Sequence, residues 1–263
     1  MKPLYRILAP SIFDPSTAEH CALGIMTKAP RAGHVKTRLV PPLTHDEAAQ
    51  LNTCFLRDTA AAIAKAARGT AQAVAVYTPA GSESVYHTIL PLGFNLLSQR
   101  GEGFGDRLAN AAFDLFRIGF KSVCLIDSDS PTVSVETYER AIRLLSAQGD
   151  RVILGPSQDG GYYLIGLTTF QRELFEAIDW STERVLAQTQ MRAKEIGFQI
   201  ELLPEFYDID DRAALRRLCQ ELFGDDANRS IDLAPHTRQF LRAMIGKEGR
   251  DRIWPRVLIP AAG

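Results

Sequence analysis

A cluster of basic residues near the start of the chain is the first candidate for chemistry. The stretch 26–39, MTKAPRAGHVKTRL, has four cations and no acid: Lys28, Arg31, Lys36 and Arg38. Such side chains, with free backbone N–H groups near Gly33, suit a phosphate or diphosphate. The stretch is not a Walker A loop, because Pro30 and Val35 stand where that motif requires glycine. A solvated basic loop remains the alternative interpretation.

Two aspartates one residue apart form the second candidate. Asp127 and Asp129 follow an apolar run in LIDSDSP (125–131), which predicts a strand that ends in carboxylates. Carboxylate oxygens are ligands that Mg²⁺ and Mn²⁺ prefer, and two carboxylates so close repel each other unless a cation or protons intervene. A turn that uses aspartate for its own hydrogen bonds is the alternative.

Two further loops carry acids. In GPSQDGGYY (155–163), paired glycines after an acid would let the backbone approach a ligand, and the candidates for substrate binding are Asp159, Gly160, Gly161 and Tyr162. The same letters are typical of a hairpin turn. In YDIDD (207–211), either Asp210 or Asp211 is expected to cap the next helix, which leaves the other acids free to face a cation.

A glycine-rich loop, RGEGFGDR (100–107), lies where a strand is expected to pass into a helix. Its spaced glycines are not specific, but they could admit a nucleotide base or ribose. Gly103 and Arg107 are the nucleotide-binding candidates from this loop.

Composition limits the classes of partner. The 263 residues contain 30 basic and 31 acidic side chains, and this net charge of -1 gives no general attraction to nucleic acid or anionic membranes. Four separated cysteines without a CxxC pair suggest reduced thiols in the core. With no signal-peptide pattern and no long apolar run, we expect a cytoplasmic protein without a membrane span.

The elements that must position these loops alternate between strand and helix. Strands are predicted at 21–27, 73–78, 95–99, 122–126, 151–154, 161–167 and 199–203. Helices are predicted at 45–68, behind a Thr44/Glu47 capping box, and at 82–90, 106–118, 135–147, 181–196 (capped by Ser181) and up to 222. This alternation predicts an α/β fold with a mostly parallel sheet covered on both faces, in which 161–167 runs in a different direction.

The domain organisation follows from the same pattern. Residues 1–20 are expected to be an N-terminal extension on or beside the domain, 21–224 the domain itself, and 225–263 a C-terminal appendage with one helix near 237–245. In parallel α/β sheets, ligands bind beyond the carboxyl ends of strands. Because the basic loop and the acidic loops all follow predicted strands, together they indicate a metal and diphosphate site.

The order of these motifs resembles the DUF2064 family, the "rSAM/selenodomain-associated transferase 1" proteins. The resemblance covers roughly 23–222, and its most distinctive segments are KTRL (36–39) and DGGYYLIGL (159–167). It implies a Rossmann-like GT-A fold, the three-layer sandwich of nucleotide-diphospho-sugar transferases, with a mostly parallel mixed sheet. The chain departs from the family pattern at Asp127, where the family generally has glycine, so Asp127 is a weaker ligand candidate than Asp129.

The motifs and the resemblance together assign roles to individual residues. The expected nucleotide-binding residues are Lys28, Arg31, Gly33, Lys36, Thr37, Arg38, Gly103 and Arg107. The expected ligands for Mg²⁺ or Mn²⁺ are Asp127, Asp129 and Asp210. The expected catalytic residues are Lys36, Asp129 and Asp159, of which Asp159 could act as a base or an orienting group.

Three functions fit this set. The first is a metal-dependent glycosyltransferase that moves a sugar from a nucleotide-sugar to a small-molecule acceptor. The second is a nucleotidyltransferase that joins an NTP to a phosphorylated small molecule and releases pyrophosphate. The third is a nucleotide-binding module without catalysis. The DSD segment favours the first and the KTRL loop slightly favours the second, while the oligomeric state is not predicted.

Overall fold

Eight strands form one sheet with α-helices on both faces in the computed structural model, which describes residues 5–224 and 233–254. The strands are β1 (Arg6–Ile7), β2 (Cys21–Lys28), β3 (Ala71–Thr78), β4 (Asn95–Ser98), β5 (Ser122–Ile126), β6 (Arg151–Pro156), β7 (Tyr162–Leu167) and β8 (Gln199–Leu202). The helices are α1 (His45–Ala66), α2 (Glu83–Tyr86), α3 (Phe104–Ile118), α4 (Val135–Leu145), α5 (Val185–Glu195), α6 (Arg212–Phe223) and α7 (Pro235–Glu248).

The strand order is β1-β4-β3-β2-β5-β7-β6-β8. All neighbours pair in parallel except β7, which is antiparallel to both β5 and β6. The predicted change of direction at 161–167 is therefore confirmed. Since β2, β5, β6 and β8 run the same way, their carboxyl ends open on one edge of the sheet, as the mostly parallel α/β fold class requires.

Alternate residues of each central strand pack into two separate cores. Leu23 and Ile25 of β2 face one core with α1 and α4, whereas Ala22 faces the other with α3. A third apolar cluster joins the outer side of α1 to α6 and α7. The alternation is the period of two that a strand imposes, and it produces the predicted three-layer sandwich.

Local signals explain where the helices begin. The Thr44/Glu47 capping box is present at the start of α1, and the side chain of Asp211 accepts from the backbone N–H of Ala214 at the start of α6. The prediction that Ser181 caps a helix is wrong: α5 begins at Val185, and Ser181 has a left-handed backbone (φ 64°). An N-cap residue normally has extended backbone geometry, so Ser181 cannot serve here.

The described parts of both terminal segments contact the domain. The segment 1–20, expected to be an extension, contributes β1, which pairs with β4 at the edge of the sheet. The helix expected near 237–245 is α7, and it packs on α1, whereas most of the rest of the predicted appendage, 225–232 and 255–263, lies outside the described residues. The four cysteines are free and buried, as predicted. In the described segments, no helix has the length and apolarity needed to cross a membrane.

Candidate active site

The predicted loops come together around two adjoining cavities at the carboxyl edge of the sheet. The larger cavity is about 590 Å³ and the smaller about 260 Å³. Both are lined by Arg38, Ser128, Asp129 and Asp210, which form their common wall. The loops after β2, β5 and β8 each supply part of this wall. Since β8 lies at the edge of the sheet, its loop has to cross back to the wall, where the backbone N–H of Ile209 donates to the carbonyl of Asp129 at 3.0 Å.

Lys36 connects these three loops. Its Nζ lies 2.9 Å from Oδ1 of Asp129 and 2.7 Å from Oδ1 of Asp210, and its side chain is only 4% exposed. Burial acts to lower the pKa of Lys36, but the two carboxylates outweigh it and the pKa is raised. Burial likewise acts to raise the pKa of Asp210, but Lys36 outweighs it and the pKa is lowered. Lys36 is therefore a charged tether.

Asp127 lies on the inner side of the DSD segment. Its Oδ2 accepts from the hydroxyl of Ser130 at 2.8 Å, and its Oδ1 is buried with no hydrogen-bond partner among the described residues. Burial and the adjacent Asp129 raise the pKa of Asp127 well above its ordinary value. The carboxyl of Asp127 is thus poorly compensated, which is the condition expected beside a cation site.

Asp208 is a candidate that the sequence analysis did not select. It lines the larger cavity, and the hydroxyl of Ser157 lies 3.4 Å from its Oδ1. Burial, followed by the charges of Asp210 and Asp159, raises the pKa of Asp208 to about 6. The signal was present in YDIDD: once Asp211 caps the helix and Asp210 meets Lys36, Asp208 is the remaining acid.

The basic loop divides into residues inside and outside the cavities. Lys28, Thr37 and Arg38 line the smaller cavity with Lys36, whereas Arg31 and Gly33 line neither. Arg38 is exposed and makes no hydrogen bond or ion pair within the described residues, although its charge helps to lower the pKa of Asp210. Because Lys36 is already paired, Arg38 is the better placed cation for a phosphate.

The glycine-rich loop presents different residues to the cavity from those expected. Gly103 and Arg107 line neither cavity, and Nε of Arg107 donates to the carbonyl of Gly101 at 3.1 Å. Phe104 and Leu108 of the same segment line the larger cavity instead. Because α3 begins at Phe104, Phe104 and Leu108 line the cavity in place of the predicted Gly103 and Arg107.

The Asp159 turn supplies one side of the larger cavity. Asp159, Gly161 and Tyr162 line it, and Oδ1 of Asp159 accepts from the backbone N–H of Gly161 at 2.9 Å. Gly160 does not line the cavity and has φ 85°; a Cβ there would lie 2.2 Å from the carbonyl oxygen of Glu183. Gly160 thus allows the turn to pack against the 179–184 segment. The turn joins β6 to β7, so the hairpin interpretation also holds.

The side chains of the site are chemically suited to bind a divalent cation. It offers hard oxygen ligands and the unpartnered buried Oδ1 of Asp127. Across residues 5–224 and 233–254, however, no three acid, His or Cys side chains converge as metal ligands by themselves; the Lys36 ammonium lies between Asp129 and Asp210 instead. Mg²⁺ often takes one or two carboxylates and completes its shell with substrate phosphates and water. The metal set of Asp127, Asp129 and Asp210 stays a prediction.

One solved structure agrees with this architecture. A crystal structure from Desulfovibrio desulfuricans G20, described as a "putative nucleotide-diphospho-sugar transferase", superposes with a TM-score of 0.75 at 28% identity, over 86% of this chain and 95% of that one. Rv0371c from Mycobacterium tuberculosis H37Rv is more distant, with a TM-score of 0.47 at 19% identity over 78% and 100% of the two chains.

A third structure also falls in the distant range. Glucosyl-3-phosphoglycerate synthase from Mycobacterium tuberculosis, solved with Mn²⁺, UDP and phosphoglyceric acid, has a TM-score of 0.47 at 10% identity over 78% and 79% of the chains. A search of curated proteins gave no significant match.

The family model that matches the chain is DUF2064, described as "Uncharacterized protein conserved in bacteria". The match covers the glycine-rich loop, the DSD segment and the Asp159 turn, but it includes neither the basic loop nor YDIDD. The family resemblance inferred from the motifs is thus confirmed: residues 59–182 match the DUF2064 model, on the GT-A-like α/β fold of nucleotide-diphospho-sugar transferases.

Proposed function

We propose that this protein is a metal-dependent transferase that binds a nucleotide-sugar and transfers the sugar to a small-molecule acceptor. The observation that carries the proposal is the separation of charge between the two cavities. The smaller is lined by Lys28, His34, Lys36 and Arg38 together with the two shared aspartates. The larger is lined by six acids, and Arg38 is the one cationic side chain among its described lining residues.

A ligand that spans both cavities would have one anionic end and one uncharged end. A nucleotide-sugar has this form, with its diphosphate beside Arg38 and Lys28 and its sugar beside the acids. Like charges placed together at a binding surface are strongly unfavourable. The acids therefore disfavour a second phosphate in the larger cavity and favour hydroxyl groups, which can donate to carboxylates.

In this reaction, individual residues would have separate roles in phosphate binding, loop positioning, metal binding and proton transfer. Arg38 would bind the phosphates, and Lys36 would hold the loops of Asp129 and Asp210 in place. A divalent cation bound by Asp129 and Asp210, with Asp127 behind them, would supply positive charge to the leaving diphosphate. The acceptor oxygen forms the new bond to the anomeric carbon, and the bond from that carbon to the phosphate oxygen breaks with its electron pair on the diphosphate. Asp159 would accept the acceptor's proton or orient its hydroxyl.

Nucleotidyl transfer is the second candidate, and the basic lining of the smaller cavity favours it. Lys28 and Arg38 could face a triphosphate as readily as a diphosphate. The phosphorylated acceptor that this reaction needs would have to lie outside the acidic part of the larger cavity. We therefore rank it below sugar transfer.

Calorimetry and product analysis test the proposal together. The protein is titrated with ADP-, CDP-, GDP- and UDP-glucose and with the four NTPs, each with and without Mg²⁺, and mixtures are analysed for released nucleotide. We expect Mg²⁺-dependent binding of at least one nucleotide-sugar, and a loss of about tenfold or more in Asp129→Asn. Asp46→Asn, an exposed change in the first turn of α1, is the control.

The other outcomes separate the alternatives. Release of pyrophosphate from an NTP would favour nucleotidyl transfer. Tight binding with no turnover of any added acceptor would favour the non-catalytic module. Equal Mg²⁺-dependent affinity in Asp129→Asn and the unmodified protein would contradict the assignment of Asp129.

A further inference from the structure

Two aromatic rings stand on the wall of the larger cavity. Phe104 begins α3 and is 54% exposed, although large apolar side chains are usually buried. The ring of Trp180 lies edge-on to it, with centroids 5.6 Å apart, and both line the cavity. The proton-transfer and phosphate-binding roles proposed above make no use of these rings.

Trp180 is held in place by the local structure. It packs on Gly105, where a Cβ would lie 2.1 Å from Nε1 of the indole. The segment that carries Trp180 is tied by the backbone N–H of Asp179, which donates to Oε1 of Gln188 at 2.8 Å, and by the hydroxyl of Thr182, which donates to the carbonyl of Asp179 at 2.7 Å. The indole is therefore a positioned surface, and only glycine at 105 permits its approach.

Carboxylates lie in the same cavity as this aromatic surface. Asp159 and Glu183 are exposed, and both line the cavity with Asp208. Ionised carboxylates accept hydrogen bonds but cannot donate them. A ligand that meets both surfaces needs one apolar face and several donors around its rim.

We propose that Trp180 and Phe104 form a binding surface for a sugar ring, whose C–H face lies on the indole while its hydroxyls donate to the carboxylates. This inference rests on the proposed function and deepens it, because it names the residues that recognise the non-nucleotide group. A nucleobase fits less well, since part of its edge consists of ring-nitrogen and carbonyl acceptors that ionised carboxylates cannot satisfy, whereas every sugar hydroxyl can donate. The ring could belong to the donor or to the acceptor, and the experiment distinguishes these sources.

The donor source is tested by comparing each NDP with its NDP-glucose. Calorimetry in Mg²⁺ gives the ratio of the two dissociation constants for the unmodified protein, Trp180→Ala and Trp180→Phe. We expect NDP-glucose to bind more tightly than NDP, Trp180→Ala to reduce this advantage by about tenfold, and Trp180→Phe to retain part of it. The affinity for NDP itself should stay within about twofold.

The acceptor source is tested with methyl glycosides added to the protein saturated with NDP and Mg²⁺. The chain has two tryptophans, and Trp254 packs against Phe223 in the cluster that holds α7. In a Trp254→Phe background, the emission therefore reports on Trp180. A saturable change in Trp180 emission on adding the glycosides supports binding of an acceptor sugar ring, provided that tetramethylammonium chloride causes no such change.

Substitutions at two glycines test the position of Trp180, one as the probe and the other as its control. Gly105→Ala should displace Trp180 and reproduce the Trp180→Ala effect, whereas Gly246→Ala, a change inside α7 with nothing within 4 Å of the added Cβ, should not. Circular dichroism checks that each variant is folded. Phe104→Ala gives a second test that leaves the Gly105 contact intact.

The inference is overturned if Trp180→Ala weakens NDP and NDP-glucose equally, if neither sugar source responds to the substitutions, or if tetramethylammonium alone perturbs Trp180. If no nucleotide binds the unmodified protein, the proposed function is contradicted. Titration of the nucleotide-free protein with methyl glycosides then tests the sugar-binding surface independently. A saturable change in Trp180 emission supports the surface, and no change overturns it.

Discussion

The ammonium of Lys36 lies 2.9 Å from Oδ1 of Asp129. The same ammonium lies 2.7 Å from Oδ1 of Asp210, so one cation joins loops that are far apart in the sequence. It lies between two of the carboxylates predicted to bind a metal. Lys36 thus provides, in this structure, the positive charge that these acids require.

Replacing Lys36 should make the stability of the fold depend on divalent cations. In Lys36→Met, the two aspartates lose their shared counter-charge. Breaking a fully buried pair costs roughly 3–5 kcal/mol, and because both carboxylates still reach the cavities we expect a smaller loss of about 1–3 kcal/mol. Mg²⁺ should then raise the melting temperature more than it does for the unmodified protein.

Lys121→Met is the matched control, because Lys121 forms an exposed pair with Glu19. Its melting temperature should change little, with or without Mg²⁺. If Lys36→Met is as stable as this control and equally insensitive to Mg²⁺, the tether is not important for the fold.

Arg38 should contribute to nucleotide affinity without contributing to stability. Arg38→Ala removes an exposed guanidinium that lines both cavities, and we expect NDP binding to weaken by about 10- to 100-fold, with an unchanged melting temperature. Calorimetry with NDP and with the free nucleoside separates the phosphate contribution. Arg68→Ala, at the exposed end of the α1 region, is the control. An equal loss for the nucleoside would place Arg38 at the base.

Asp58 should hold α7 against the domain. Its carboxylate accepts from the backbone N–H of His236 at 3.0 Å and of Thr237 at 2.8 Å, so a residue of α1 caps another helix. Asp58→Ala should cost about 1–2 kcal/mol and accelerate amide exchange in 235–248. Hydrogen exchange read by mass spectrometry checks this. Acceleration spread evenly over the whole domain would mean that Asp58 acts mainly through the α1 core.

Glu47 should make the protein more stable at neutral pH than in acid. A hydrogen bond from Arg252 lowers the pKa of Glu47 from 4.5 to about 2. Because the folded-state pKa is below the unfolded value, the contribution is present above pH 4.5 and is lost as the pH falls toward 2. Urea unfolding of Glu47→Gln should therefore show a deficit at pH 7 that shrinks in acid.

The exposed pair of Glu19 and Lys121 again supplies the comparison. Glu19→Gln should show little deficit at any pH, since this carboxylate is 83% exposed on its side chain. A deficit of Glu47→Gln that is constant between pH 7 and pH 3 would show that its role is not electrostatic.

The sequence by itself determined strands β2 to β8, most of the helices and most of the loops of the candidate site. Alternating apolar runs and helix caps predicted every strand from β2 to β8, including the reversed β7, because burial period and capping act over a few residues. The motifs at strand ends then followed from the topology of a parallel sheet. Local signals also limited the start of α6 to Asp210 or Asp211 as the cap.

Only the tertiary structure decided which partner each charged residue takes. Lys36 meets Asp129 and Asp210 across 93 and 174 positions of sequence, and Trp180 reaches Gly105 through the packing of a turn against α3. Ser181 failed as a helix cap because that turn gives it a left-handed backbone. Spacing along the chain cannot specify such pairings, since the energy of a charge or a ring depends on what surrounds it after folding.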